Sequence, residues 1–297
     1  DELDAVVTHS GVLRVAPDRK KLDELYIPAV KRFPHELELW DAATVEARCG
    51  PSVPLHGGAP AVYIAAGKVV DVPRYLRALW AAAFQTGLAT WTTLEAGERC
   101  ADADQLENVA AMWSPDERVY AAGAWTPRLS PALEWLPVRP CRGQNLFLRA
   151  EEPSEAGTEA AIIERGVGVP VISEKYAVPL RTRPGETLIG ATFEYAARGG
   201  GREAEDKLFR APDSAFAAAE LREVVASRLF LHARHQTVVG VTAGVRALPP
   251  RSHLGSVPLL GRVAEHGAAN GWYFTGLGSR GLLHHALLAE HLADAIV

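Results

Sequence analysis

The chain has 297 residues, 48% of them hydrophobic and 23% charged, with a formal net charge of -5 and a pI near 6.1. That balance belongs to a globular protein able to bury a core, and the length suits one large domain or two interleaved ones. It argues against a nucleic-acid-binding surface; the longest apolar runs, around Val238–Val245 and Leu79–Phe84, are too short to cross a bilayer, and no signal-peptide pattern is visible, so a soluble, intracellular protein is expected.

In chain order, Thr8–Val15 reads as a short strand containing a turn glycine, followed by helices over Lys20–Val30 and Asp41–Arg48. Pro51–Pro60 is a Pro- and Gly-rich loop and Ala61–Ile64 a short strand. Asp71 is a good N-cap for the next helix, with Pro73 in its first turn and Tyr75, Leu76, Leu79, Trp80 and Ala83 forming an apolar stripe. Leu88–Leu94 is β-like, and Arg118–Ala122 is a strand of small residues ending at Gly123. Val138–Leu148 alternates as an antiparallel strand does, and Ala161–Glu164, Val169–Ser173, Tyr176–Arg181 and Thr187–Phe193 follow as short strands. Glu151–Glu159 and Ala196–Asp206 read as exposed polar loops. Ser214–Phe230 is a helix with Phe216, Leu221, Val224, Val225 and Leu229 on one face. Thr237–Val245 is a strand, Leu248–Val257 a loop, Trp272–Thr275 the last strand and Leu282–Val297 the closing helix. The mixture is an α/β or α+β fold rich in antiparallel strands at its centre.

Three segments share one style, a small-residue strand that ends in glycine: Val119–Trp125, Thr242–Arg246 and Thr275–Gly281. Such ends let a flat ligand approach the backbone closely. The last contains a literal G-x-G-x-x-G, Gly276 to Gly281, between a strand and a helix. No second strand with a ribose-binding acid follows it, so it does not read as a dinucleotide-binding fingerprint of the usual βαβ kind.

The order of segments resembles the family of FAD-dependent amine and amino-acid oxidoreductases that contains D-amino-acid oxidase, glycine oxidase and sarcosine oxidase. The resemblance is carried by Ser10–Arg14, Gly67–Tyr75, Ala121–Leu129, Pro137–Leu146, Leu188–Thr192, Thr242–Arg246 with Pro258–Gly261, and Gly276–Leu282. It implies FAD as cofactor, a small amine or amino-acid substrate, and a flavin-binding domain interleaved with an antiparallel-sheet substrate domain. On that pattern residues 1–66 and 135–236 are substrate domain, and 67–134 and 237–297 are flavin-binding. The family opens with a βαβ unit that cradles the FAD pyrophosphate, and Asp1 corresponds to a point beyond it, so this unit is expected to be missing. A flavin-free remnant of the family is therefore an alternative. The GSRGL ending, Gly278–Leu282, also resembles the oxidoreductase module of tRNA wobble-uridine-modifying enzymes.

The resemblance places Ala122, Gly123, Ala124 and Trp125 beside the FAD, and Gly276, Gly278, Ser279, Arg280, Gly281 and Leu282 at the flavin ring. There the positive end of the last helix would face charge on the reduced ring. A tight turn with no ligand is the other reading of those glycines. Arg246 matches the family arginine that pairs the substrate carboxylate, although the aspartate that often follows it is absent here; a surface arginine is the alternative. Arg142-Gly143-Gln144, Tyr176 and Tyr195 read as mainly structural. Cys49, Cys100 and Cys141 read as reduced thiols; His232, His235, His284, His285 and His291 lack partners at ligand spacing, so no metal site is expected. His284 or His285 near the flavin is a further possibility, and no G-x-S-x-G elbow exists.

Overall fold

The computed structural model describes residues 6–50, 53–55, 58–92, 112–113, 115–150, 168–253, 255–263 and 270–297. Its contacts divide the chain into two compact units, Asp1–Thr90 with Gln144–Thr192 and Ala211–Ala243, and Trp91–Gly143 with Phe193–Arg210 and Gly244–Val297.

The chain starts with β1 (Val7–Arg14) and a helical run, α1, made of Arg19–Lys21, the π-helical Leu22–Tyr26 and Ile27–Arg32. Next come β2 (Leu37–Trp40), α2 (Ala42–Cys49), β3 (Ala61–Val70), α3 (Val72–Gln85) and β4 (Glu117–Tyr120). They are followed by β5 (Arg139–Arg149), β6 (Val171–Ile172), β7 (Tyr176–Pro179), β8 (Glu186–Gly190), α4 (Gly201–Asp206) and α5 (Ser214–Arg228). The last elements are β9 (Thr237–Leu248), β10 (Arg251–Ser252), β11 (Gly255–Ser256), β12 (Leu259–Val263), β13 (Asn270–Thr275) and α6 (Gly281–Ile296).

The larger sheet has the order β2-β3-β1-β6-β7-β8-β5-β9. Its β1–β6 pair is parallel, while β2–β3, β3–β1, β6–β7, β7–β8 and β8–β5 are antiparallel. Leu13, Leu146, Leu148, Val171, Ala177 and Ile189 come together here with Ala217, Leu221, Val225 and Phe230 from α5 and the chain after it. The α5 stripe is shifted from its expected position. Ala217, Leu221, Val225 and Leu229 are buried, each four residues from the next, whereas Phe216 and Val224 are 40% and 36% exposed. A four-residue step keeps one helix face; 216 and 224 lie one position off it.

In the other unit the sheet order is β12-β13-β4, with β13 antiparallel to β12 and parallel to β4. Tyr120, Leu133, Leu136 and Val263 form its small core.

Several expectations need correction. Strands β2 and β12 are present where none was expected, because four- and five-residue strands leave too little alternation to read. Strand β3 runs on to Val70, and Gly11 sits at a register shift in β1 instead of a turn, its backbone at φ 87°. Leu88–Thr92 has no regular structure, and Thr93–Leu94 lie outside the described residues, as do Ala161–Glu164 and Glu151–Glu159. Part of the expected 196–206 loop is helical, as α4 and the 3-10 turn Lys207–Phe209. The Asp71 cap is real, since its carboxylate accepts from the Arg74 N–H at 3.1 Å. Helix α3 nevertheless buries no side chain among the described residues, and Leu76 and Leu79 are 59% and 42% exposed.

Candidate functional site

Strands β4 and β13 run parallel, so their C-terminal ends lie side by side, and both run into glycine turns. Such crevices at the carboxyl ends of parallel strands are where open α/β sheets take ligands. Strand β4 stops at Tyr120. The expected strand Arg118–Ala122 therefore ends two residues early, and Ala122–Trp125 lies in a turn: Gly123–Arg128 is a 3-10 helix with Pro127 inside it. The Thr275 hydroxyl, buried at the end of β13, donates to the Gly123 carbonyl at 2.8 Å and ties the two turns together.

Gly276 and Gly278 have φ of 71° and 57°, left-handed values that an L side chain adopts only with strain. A Cβ on Gly276 would also lie 3.0 Å from Leu259 Cγ, and one on Gly278 3.4 Å from Leu248 Cδ2. The turn thus packs on the end of β9, two residues beyond Arg246. Val119–Trp125, Gly244–Arg246 and Thr275–Gly281 lie in one unit, while Thr242 and Ala243 belong to the other.

Two glycines have no such explanation. Gly281 opens α6 at φ -52°, and a Cβ there would meet nothing closer than Leu277 Cβ at 3.9 Å. Gly244, inside β9, has no positive φ and nothing within 4 Å of its missing Cβ. Helix α6 has no side-chain cap at its N-terminus. First-turn N–H groups without a side-chain partner at a helix start are a ready acceptor site for a negatively polarised ligand. Ser279 and Arg280 are exposed beside it, as is Leu282. His285 reaches back to the Gly281 carbonyl through Nδ1 at 2.9 Å, within its own helix.

Trp125 packs against two side chains of its own unit. Its ring lies 4.3 Å from that of Phe209, and the Arg128 guanidinium covers it at 4.8 Å. Arg128 is in turn paired with Glu205 at 3.1 Å and with Asp206.

Arg246 is laid against β5. Its guanidinium sits over Gly143 so closely that a Cβ there would be 2.2 Å from Nη2, and it stacks on Phe193 at 4.8 Å. Its Nη1 lies 3.8 Å from Cys141 Sγ. Tyr195 hydrogen-bonds Cys141; desolvation first, then that bond, raises the phenol above its ordinary value, against the pull of Arg139 and Arg246. Arg139 stacks on Tyr195 at 4.3 Å. The opposite face of the same strand is structural, as expected. Arg142 is buried, ion-paired with Glu194 at 3.5 Å and bonded to the Leu208 and Arg210 carbonyls. Gln144 accepts from the Asp213 N–H at 2.6 Å, and Tyr176 donates to Asn145 at 2.6 Å.

Among the described residues no group of acids, histidines and cysteines is placed to hold a metal, and no helix is long and apolar enough to cross a membrane. Cys49 and Cys141 are buried free thiols; burial pushes Cys49 up to about 11, which makes it unreactive. Cys100 lies outside the described residues.

The family described as FAD dependent oxidoreductase (DAO) matches residues 1–295, and the chain belongs to it. Comparison with curated proteins finds no match. Among solved structures, glycine oxidase from Geobacillus kaustophilus is similar at a TM-score of 0.67 and 19% identity, over 97% of this chain and 72% of that one. L-proline dehydrogenase from P. horikoshii matches at 0.67 and 15% identity, over 100% and 74% of the two chains. L-alpha-glycerophosphate oxidase from Mycoplasma pneumoniae, solved with FAD bound, matches at 0.61 and 12%, over 96% and 72%.

The residues present fit the ring end of FAD. A Cβ would have open space at Gly244 and would meet nothing closer than 3.9 Å at Gly281, and the α6 N–H groups, with no side-chain cap, suit a polarised ring edge. Among the described residues no second glycine turn of the βαβ kind offers itself to the pyrophosphate.

Proposed function

We propose that the protein oxidises the C–N bond of a small amine or amino acid by hydride transfer to FAD. In this reading Gly276, Gly278, Ser279, Arg280, Gly281 and Leu282 hold the cofactor together with Ala122, Gly123, Ala124 and Trp125. Arg246 pairs the substrate carboxylate. The unit containing Gly244–Val297 takes the flavin-binding role and the other unit the substrate-domain role.

The observation that carries the reading is the seating of Arg246 on Phe193 and Gly143, beside the convergent glycine turns. FAD, when bound, supplies a two-electron acceptor. Arg246 offers a planar fork to a carboxylate, and stacking on Phe193 limits its motion, so less freedom is lost on binding. A pinned carboxylate fixes the direction of the substrate Cα–H bond. In this reading the start of α6 would put roughly half a positive charge near the ring edge, where negative charge would develop. On the substrate side, a hydride leaves Cα and a proton leaves nitrogen, and water hydrolyses the resulting imine to a carbonyl compound and ammonia or an amine.

The test is to supply the purified protein with FAD, record the flavin absorbance bands, and assay a panel of amino acids and carboxylate-free amines. Arg246→Met is expected to raise KM for carboxylate substrates about 10–100-fold, the loss of a bidentate charge-assisted pair. Turnover of carboxylate-free amines is expected to be unaffected. A protein that binds FAD and oxidises only hydroxy compounds would overturn the C–N assignment. A protein that takes up no FAD would favour a flavin-free role.

A further inference from the structure

The turn Gly123–Arg128, which follows β4, is pinned at both ends. At its start the Gly123 carbonyl accepts from the Thr275 hydroxyl at 2.8 Å. At its end the Arg128 guanidinium lies over the Trp125 ring at 4.8 Å and over the Phe209 ring at 5.4 Å, and the two rings are 4.3 Å apart. Two carboxylates of α4 hold it there: Nη2 lies 3.1 Å from Glu205, and Nη1 donates to Asp206. The Arg128 side chain is 10% exposed, whereas the carboxylates are 41% and 54% exposed. Phe209 is fixed in turn from β5. Buried Arg142 donates to the carbonyls on either side of it, Leu208 at 3.2 Å and Arg210 at 2.7 Å. Between the pins Ala124 and Thr126 are buried, and Gly123, at φ 59°, has nothing among the described residues within 4 Å of the place of a Cβ. A turn clamped on both sides of an open glycine presents its backbone to a ligand with little freedom left to lose.

We infer that Arg128 is a positioning residue for FAD: acting through Trp125, it holds the Gly123–Arg128 turn in the form that takes the cofactor, and Glu205 and Asp206 keep it in place. The inference rests on the reading of this turn as part of the FAD site. Arg128 suits the task because a guanidinium stacks on aromatic faces while its edge N–H groups serve carboxylates. A lysine keeps the charge but loses the flat fork. Both carboxylates stand 77 and 78 residues further along the chain, so the hold on the turn depends on α4 being docked.

The test is titration of the FAD-free protein with FAD, followed by flavin fluorescence and the visible absorbance bands, beside a melting curve without FAD. Arg128→Met is expected to weaken FAD binding about tenfold, the scale of coupling within one side-chain network, and to shift the bound-flavin spectrum toward that of free FAD. Arg128→Lys is expected to recover part of both losses. Glu205→Gln combined with Asp206→Asn is expected to weaken FAD binding as well, and adding Arg128→Met to that pair is expected to weaken it little further. FAD affinity and spectrum unchanged in Arg128→Met and in the carboxylate pair, with only the melting temperature lowered, would overturn the inference and leave a structural cluster. Losses that add in full in the triple variant would also overturn it, because the carboxylates would then not act through Arg128. Should Arg128→Met fail to fold, the carboxylate pair decides alone, and unchanged FAD affinity there overturns the inference. A wild type that takes up no FAD overturns the FAD reading and this inference with it, an outcome read without any variant.

Discussion

Gly276 and Gly281 belong to one motif but have different physical reasons to be glycine. Gly276 is held at φ 71° against Leu259, so alanine there is expected to cost about 1–2 kcal/mol in thermal unfolding with or without FAD. Gly281 is in ordinary helical geometry with room for a methyl group, so alanine is expected to leave the FAD-free protein as stable or up to about 1 kcal/mol more stable. If Gly281 lies at the flavin ring, as proposed, FAD affinity should nonetheless fall in Gly281→Ala, because the methyl would occupy space given to the ring. Unchanged FAD affinity in that variant would remove Gly281 from the site. Two histidines set a pH dependence. Burial lowers His9, with Arg181 adding to the effect, and burial lowers His232, with His235 adding. The folded protein therefore binds protons at these sites less readily than the unfolded chain. Their stabilising contribution is complete above the ordinary value of 6.5 and is lost as pH falls through the lower folded values. Tm is expected to drop as pH falls below 6.5, and less steeply in His232→Asn.

At the scale of elements, periodicity found the helices but did not always find what they pack against. Helix α5 is a core element, and Leu221→Ala is expected to cost about 2–5 kcal/mol in denaturant unfolding. Helix α3 has the cleaner stripe on paper, yet its leucines are exposed, so Leu76→Ser is expected to stay within about 0.5 kcal/mol of wild type. A large loss in Leu76→Ser would mean that the stripe is covered after all. The Asp71 cap was legible in the sequence where its helix's burial was not, and Asp41 and Asp213 cap their helices in the same way, each accepting the N–H three residues on. A cap is a local interaction with a fixed spacing. Burial depends on what the rest of the chain brings to a face. The same reason explains why the strand expected over Arg118–Ala122 stops at Tyr120. Small residues permit a strand, but the glycine at φ 59° and Pro127 turn the chain instead.

For the whole molecule, binding of FAD to the folded state alone adds stability by mass action. At a hundred times its Kd, FAD is expected to contribute about 2.7 kcal/mol, read as a concentration-dependent rise in Tm. A Tm indifferent to FAD across the same titration would contradict a folded-state site. The residue order along the chain was enough to place this protein in its family, because the glycine-ended segments, the Arg-Gly-Gln strand and the final glycine turn occur in sequence. The glycine run Gly276–Gly281 stood out by its residue types, and Arg246 stood out through the family resemblance. Only the tertiary structure decided that these segments meet, that Arg246 lies on Phe193 and Gly143, and that Arg128 pairs with Glu205 and Asp206. Those contacts join residues scores of positions apart in the chain, and no local pattern of spacing or propensity encodes which distant strands become neighbours.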